Sequence, residues 1–142
     1  MDSQLADLAE VILAIGRELR MGMDAETVPL TPSEAQVMRH IDNHPGAAPS
    51  DVAKHTGLQR SNLSTALRSL ERRGFVERRV DPQDARGVNL FPTELAAANL
   101  TRLRRQWARH MATALGDDVG EVATVKAVLQ RIESAMVTDR LG

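Results

Sequence analysis

One stretch, from Pro49 to Thr93, constrains the fold more than any other: PSDVAKHTGLQRSNLSTALRSLERRGFVERRVDPQDARGVNLFPT. Glycine punctuates it twice. Gly57 separates two short helical patterns, and the small Ala53 stands four residues before it, where two helices must cross closely. Gly74 closes the second helix, whose Leu63, Leu67 and Leu70 recur at helical spacing. Phe75–Val80 then alternates as a strand does, Asp81-Pro82-Gln83-Asp84 is turn chemistry, and Gly87–Phe91 brings back a second short strand. A helical hairpin alone is a common object. With a two-stranded ribbon directly behind it, the order is that of a winged helix-turn-helix. In that arrangement the second helix enters a major groove and the ribbon reaches an adjacent groove.

The flanking segments read as helices. Thr31 as N-cap, Pro32 at the first helical position and Glu34 in the first turn start one helix. Val37, Met38 and Ile41 face inward there, and Pro45-Gly46 breaks it. Ser50 reads as the cap of the next helix, with Val52 and Ala53 inside. Near the start, Leu5, Leu8, Ile12, Ile15 and Leu19 form a 3-4-3-4 seam that Gly22 and the stretch around Pro29 end. Val122, Val125, Leu129, Ile132 and Met136 repeat the device. Between Glu94 and Leu115 runs a long helix with Leu100, Leu103, Trp107, Met111 and Leu115 on one side, stopped by Gly116. Narrow apolar seams on terminal helices have little else to cover than each other and a second copy, so a homodimer is expected. The division is 1–30 for an N-terminal dimerisation helix, 31–92 for the winged helix-turn-helix, and 93–142 for C-terminal dimerisation helices. The fold class is mainly α with a small β-hairpin wing.

Composition narrows the function. The chain has 142 residues, one domain's length, and 42% apolar residues suffice for a core. Aromatics are only 2%, which favours helices over a β-sandwich. Cysteine is absent, so disulfides, thiolate zinc sites and thiol nucleophiles are excluded. No apolar run nears the ~18 residues of a membrane span, and the acidic start does not read as a signal peptide, so a cytoplasmic protein without membrane association is expected. Net charge is −1, but Val52–Leu90 holds eight basic and four acidic residues, leaving −5 for the remainder. A basic middle between acidic ends suits a polyanion that meets only the middle. No phosphate-binding glycine loop, Gly-x-Ser-x-Gly or paired carboxylates appear, so an enzyme is not expected, nor is a cofactor.

The polar face of the second helix offers Arg60, Ser61, Asn62, Ser64, Thr65 and Arg68. Asparagine pairs bidentately with adenine, arginine with guanine, and Ser or Thr with base or phosphate. The competing reading is an ordinary solvated face, and for single serines it weighs nearly as much. In the ribbon, Arg79, Gln83, Asp84 and Arg86 are the candidates. An arginine at a hairpin tip can enter a narrow A·T-rich minor groove, where the potential is most negative. Asp84 would hold the tip by accepting from turn amides or from Arg86. The competing reading there is an exposed surface ion pair worth ~0–1 kcal/mol.

These motifs resemble the MarR family of bacterial transcriptional regulators, from about Leu5 to Met136. The resemblance rests on LTPSEAQVM, GLQRSNLSTALRSLERRGFVERR and DPQDARGVNLFPT, the last similar to the family's Asp-x-Arg wing signature. It implies a dimer with intertwined terminal helices, one DNA-reading lobe per subunit, a palindromic double-stranded operator, repression, and release by a small, often phenolic, ligand. Arg86 matches the wing arginine and Asp84 its partner, and Arg60 through Arg68 match the recognition helix. Pro92 departs from the usual Leu, Ala96 from a common Gly, and Thr65 from a frequent basic residue. A ligand would be lined by Arg17, Met21, Trp107, His110 and Met111, for each of which plain packing is the competing account.

Two rivals stand beside the reading of a ligand-released repressor. His40 and His44, four apart, with His110 on the long helix, suggest a zinc-responsive regulator of the same fold, although no metal ligand set is complete. The other rival is a winged-helix protein-interaction module without DNA binding. Unpaired arginines on the recognition face argue against it.

Overall fold

The computed structural model describes residues 1–21, 23–84 and 86–142; Gly22, expected to help end the first helix, and Ala85 in the hairpin tip lie outside them. The described elements are α1 (Asp2–Arg20), α2 (Pro32–Asn43), α3 (Pro49–Thr56), α4 (Arg60–Arg72), β1 (Val76–Val80), β2 (Val88–Pro92), α5 (Glu94–Leu115) and α6 (Val122–Leu141). They form two compact units. One comprises Met1–Pro29 with Asn99–Asp117, the other Leu30–Ala98 with Asp118–Gly142. The boundary falls inside α5.

The second unit is the winged helix. Its core is Val37, Met38 and Ile41 from α2, Val52 from α3, Leu63, Ala66, Leu67 and Leu70 from α4, and Phe75, Val76 and Leu90 from the ribbon. Burying an aliphatic side chain of this size is worth about 1.5–3 kcal/mol. The strands are antiparallel, with Val76 opposite Pro92 and Arg78 opposite Leu90. Gly46 and Ala47 add a short bridge to β2, through Gly46 N–H to Leu90 O at 2.8 Å and Leu90 N–H to Ala47 O at 2.9 Å.

The helix ends follow from local chemistry. Thr31 caps α2, and Glu34 completes a capping box: Glu34 N–H donates to Thr31 Oγ1 at 3.2 Å, and Thr31 N–H donates to Glu34 Oε1 at 3.0 Å. The start of α3 differs from the expectation. Ala48 is the N-cap with no side-chain bond, and Pro49 takes the first turn, so Ser50 lies inside the helix. Proline there brings a preset φ and no amide to satisfy, which displaces the serine as the start signal. At the end of α4, Gly74 has φ +76, Phe75 N–H bonds Leu70 O at 2.9 Å, and Gly74 N–H bonds Glu71 O at 3.0 Å. That Schellman closure turns the chain directly into β1. Thr93 then joins ribbon to helix: its hydroxyl donates to Gly74 O at 2.6 Å and accepts from Ala96 N–H at 3.2 Å.

The first unit is held by a polar clamp. Asn99 grips the backbone of Val28, accepting from its N–H at 2.9 Å and donating to its carbonyl at 3.1 Å. Gln106 donates to Thr27 Oγ1 at 2.7 Å, and Thr27 Oγ1 donates to Asp24 at 2.8 Å. Thr27, Asn99 and Gln106 are all buried. On α1, Leu5, Leu8, Val11, Ile12, Leu13 and Ile15 are exposed, as are Val122, Val125 and Leu129 on α6. No helix among the described residues is long and apolar enough to cross a membrane.

Candidate nucleic-acid interface

Helix α4 is amphipathic, and its buried residues fix which face remains. Leu63, Ala66, Leu67 and Leu70 point into the core. Arg60, Ser61, Asn62, Ser64, Thr65 and Arg68 are therefore exposed, on the first two turns and just beyond. The Thr65 hydroxyl donates back to Ser61 O at 3.0 Å, so its proton is already used and only its acceptor capacity is open.

Among the described residues, Arg60 and Arg68 have no carboxylate partner, and neither do Lys54, Arg72 or Arg86. Three other arginines are engaged. Arg73 pairs with Glu34, Arg78 with Glu71, and Arg39 with Glu133. Five free cations thus belong to α3, α4 and the hairpin tip.

The wing candidates divide. Asp84 accepts from the backbone N–H of Arg86 at 3.0 Å, and Asp81 accepts from Gln83 N–H at 2.9 Å. Two carboxylates thereby hold the tip through its amides, and Arg86 is exposed with no ionic partner among the described residues. Gln83 is exposed beside it. Arg79 is already occupied: its guanidinium lies 4.1 Å from the centre of the Phe91 ring and 3.4 Å from Glu77. The ring in turn sits against Gly46, where a Cβ would come within 3.4 Å of it. Arg79 therefore braces the ribbon through a cation–π contact.

This geometry has counterparts among known proteins. The chain is 28% identical over 111 residues, 78% of its length and 74% of the relative's, to YybA, an uncharacterized HTH-type transcriptional regulator of Bacillus subtilis (strain 168). It resembles the PcaV transcriptional regulator of Streptomyces coelicolor in complex with its natural ligand, at TM-score 0.64 and 26% identity, covering 91% of each chain. It also resembles the transcriptional repressor CouR bound to a 23-mer DNA duplex, at TM-score 0.65 and 25% identity, covering 95% of this chain and 89% of that one. A model of the MarR family matches residues 28–87, from the approach to α2 through the wing. Over that stretch the chain resembles the MarR family. Its members are transcriptional regulators, and the mainly α winged-helix fold read from the sequence is the fold observed.

The histidines do not arrange as the metal rival requires. His40 and His44 stack face to face with centroids 4.5 Å apart, and His55 of α3 lies on His40 at 4.7 Å. Ring faces meet, and two of the ring nitrogens are occupied by backbone: His44 Nδ1 is 3.2 Å from His40 O and His55 Nδ1 is 2.8 Å from Asp51 O. Among the described residues no group of three or more His, Cys, Asp or Glu is placed to hold a metal ion. Burial, then the neighbouring His44 and His55, lower the His40 pKa below 6.5.

The expected ligand-lining residues all belong to the first unit. Arg17 and Met21 lie at the end of α1 and are exposed; Trp107 of α5 is half-buried, and His110 and Met111 are exposed. No hydrogen bond, ion pair or ring contact joins these five among the described residues. Sequence reasoning missed His55 in the histidine stack and the polar clamp of Asn99 and Gln106. It also missed the buried pair of Glu34 with Arg73. The clamp had a faint signal, since two amides interrupt the apolar side of α5.

Proposed function

We propose that this protein is a sequence-specific DNA-binding repressor that acts as a homodimer on a palindromic operator and is released by a small aromatic ligand. The observation that carries the reading is the split among the arginines. Arg39, Arg73, Arg78 and Arg79 are paired with carboxylates, while Arg60 and Arg68 on the open face of α4 and Arg86 at the wing tip have no carboxylate partner among the described residues. Exposed cations on one helix face and one hairpin tip suit the phosphates and negative grooves of duplex DNA.

In the proposed complex α4 lies in the major groove. Arg60 and Asn62, at its N-terminal end, read base edges; Ser61, Ser64, Thr65 and Arg68 position the helix on bases and backbone. Arg86 enters the neighbouring minor groove, steadied by the turn that Asp84 and Gln83 shape. Two copies present their α4 helices about one turn (~34 Å) apart, so a palindrome is the matching target. The DNA-bound CouR supports the DNA half of this reading, and the ligand-bound PcaV supports an effector. Residues Arg17, Met21, Trp107, His110 and Met111 are proposed to meet that effector, whose binding favours a lobe spacing unsuited to the operator. The dimerisation segments are proposed as 1–30 and 93–142, around the DNA-binding segment 31–92.

The test is in vitro selection of duplexes from a random pool, followed by anisotropy with excess nonspecific competitor. Enrichment of an inverted repeat that survives competition supports the proposal. Recovery of unrelated sequences that competitor displaces contradicts it.

A further inference from the structure

We propose that Arg140 is a positioning residue for DNA recognition: clamped on the C-terminal end of α3, it fixes the turn from which α4 departs. The inference rests on the reading of α4 as the recognition helix. It begins with α3, which has only eight residues and ends at Gly57. The last carbonyls of any helix lack partners within it and carry the negative end of its dipole. Arg140, in the last turn of α6, supplies both a donor pair and a positive charge. Its Nη1 donates to Thr56 O at 3.2 Å, and its Nη2 donates to His55 O.

The same side chain lies across the turn glycine. A Cβ on Gly57 would stand 2.9 Å from Arg140 Cδ, 3.0 Å from Nη1 and 3.1 Å from Nε. Gly57 is thus required twice, by its φ of +71 and by the arginine packed over it. Immediately beyond, Leu58 N–H reaches Thr56 Oγ1 at 3.4 Å, and α4 starts at Arg60.

A second attachment fixes the other end of this reach. Glu133, seven residues earlier on α6, takes both terminal nitrogens of Arg39 on α2, one of them at 3.2 Å. Seven residues are two helical turns, about 10 Å, so both groups share one face of α6. α6 therefore bridges α2 and α3, and α4 packs on α2. A shift of α6 is transmitted to the helix-turn-helix through two reversible polar contacts.

The experiment compares R140Q with R131Q, whose arginine is exposed on the same helix and has no bonded partner among the described residues. Both lose one charge, so the comparison separates position from net charge. Two quantities are read on the intact protein: amide exchange at Gly57, whose N–H bonds Ala53 O, and anisotropy on the duplex selected by the wild type. The expected result is faster exchange at Gly57 and about tenfold weaker binding for R140Q alone, the scale of one lost charge-assisted bond. Unchanged exchange in R140Q, or equal losses in both variants, would overturn the inference. Failure of the wild type to select any duplex would sink the DNA-binding reading, and the positioning role with it, while faster exchange would still show the clamp on the turn.

Discussion

Glu34 shows how much one side chain can hold. One oxygen closes the capping box of α2, and the other meets the guanidinium of Arg73 at the end of α4. The carboxylate side chain is only 7% exposed, so losing it removes both the cap of α2 and the charge that faces a partly buried guanidinium. Glu34→Ala is therefore expected to lower stability by about 2–4 kcal/mol in urea unfolding. A loss near that of an exposed pair such as Arg79–Glu77, ~0–1 kcal/mol, would contradict the account. For function the decisive residues are unpaired ones. Arg86→Ala is expected to weaken DNA binding about tenfold with an unchanged melting temperature, since among the described residues its guanidinium has no ionic partner. Asn62→Ala should alter the preferred sequence more than the salt dependence; a uniform loss on all sequences would count against base readout. The Thr31 cap, the turn carboxylates and the open arginines were legible because each depends on neighbours within a few residues. The Glu34–Arg73 pair was not, because it joins residues 39 apart that only the packed fold brings together.

Among the elements, α2 and α3 meet through three imidazoles. His40 is half-buried, and burial together with His44 and His55 lowers its pKa; Asp51 pulls the other way and is outweighed. The sign follows from linkage. With the folded value below 6.5, the unfolded chain binds the proton more readily, so stability is full above about 6.5 and is lost as pH falls toward the lowered value. The urea midpoint should drop between roughly pH 7.5 and pH 5.5, the range where histidine titrates. His55→Gln should flatten that slope. Identical slopes in variant and wild type would contradict the coupling. The shifted carboxylates, Asp24 downward and Asp42 upward, start from 3.8 and belong to a more acidic range. At this scale the sequence placed α2, α4, the ribbon and α5 closely, because caps and apolar periodicity are local. It missed the true start of α3, where Pro49 outranks Ser50, and it could not show that His55, not His110, completes the stack. Spacing reveals which histidines share a helix, but not which helix arrives opposite.

The whole molecule leaves large apolar side chains of α1 and α6 exposed, Leu5, Ile12, Ile15, Val125 and Leu129 among them. In the proposed dimer these are covered, and two α4 helices act on one duplex. Ile12→Glu is expected to shift the protein toward monomer in sedimentation and to cut operator affinity, since each half-site then binds alone. A dimer of undiminished strength would remove α1 from the interface. The winged-helix fold was legible because the glycine-marked hairpin and the ribbon are contiguous in the chain. The effector site was not, because its five proposed residues come from separate helices and no motif ties them.

The central claim is that the unpaired cations of α4 and the wing grip duplex DNA. Anisotropy on the selected duplex across a salt series tests it most directly, comparing wild type with a variant lacking Arg60, Arg68 and Arg86. The account predicts a linear fall of log affinity with log salt, of slope about −0.9 per phosphate neutralised, and a shallower slope with weaker binding in the variant. Equal affinity and equal slope in the two proteins would contradict it.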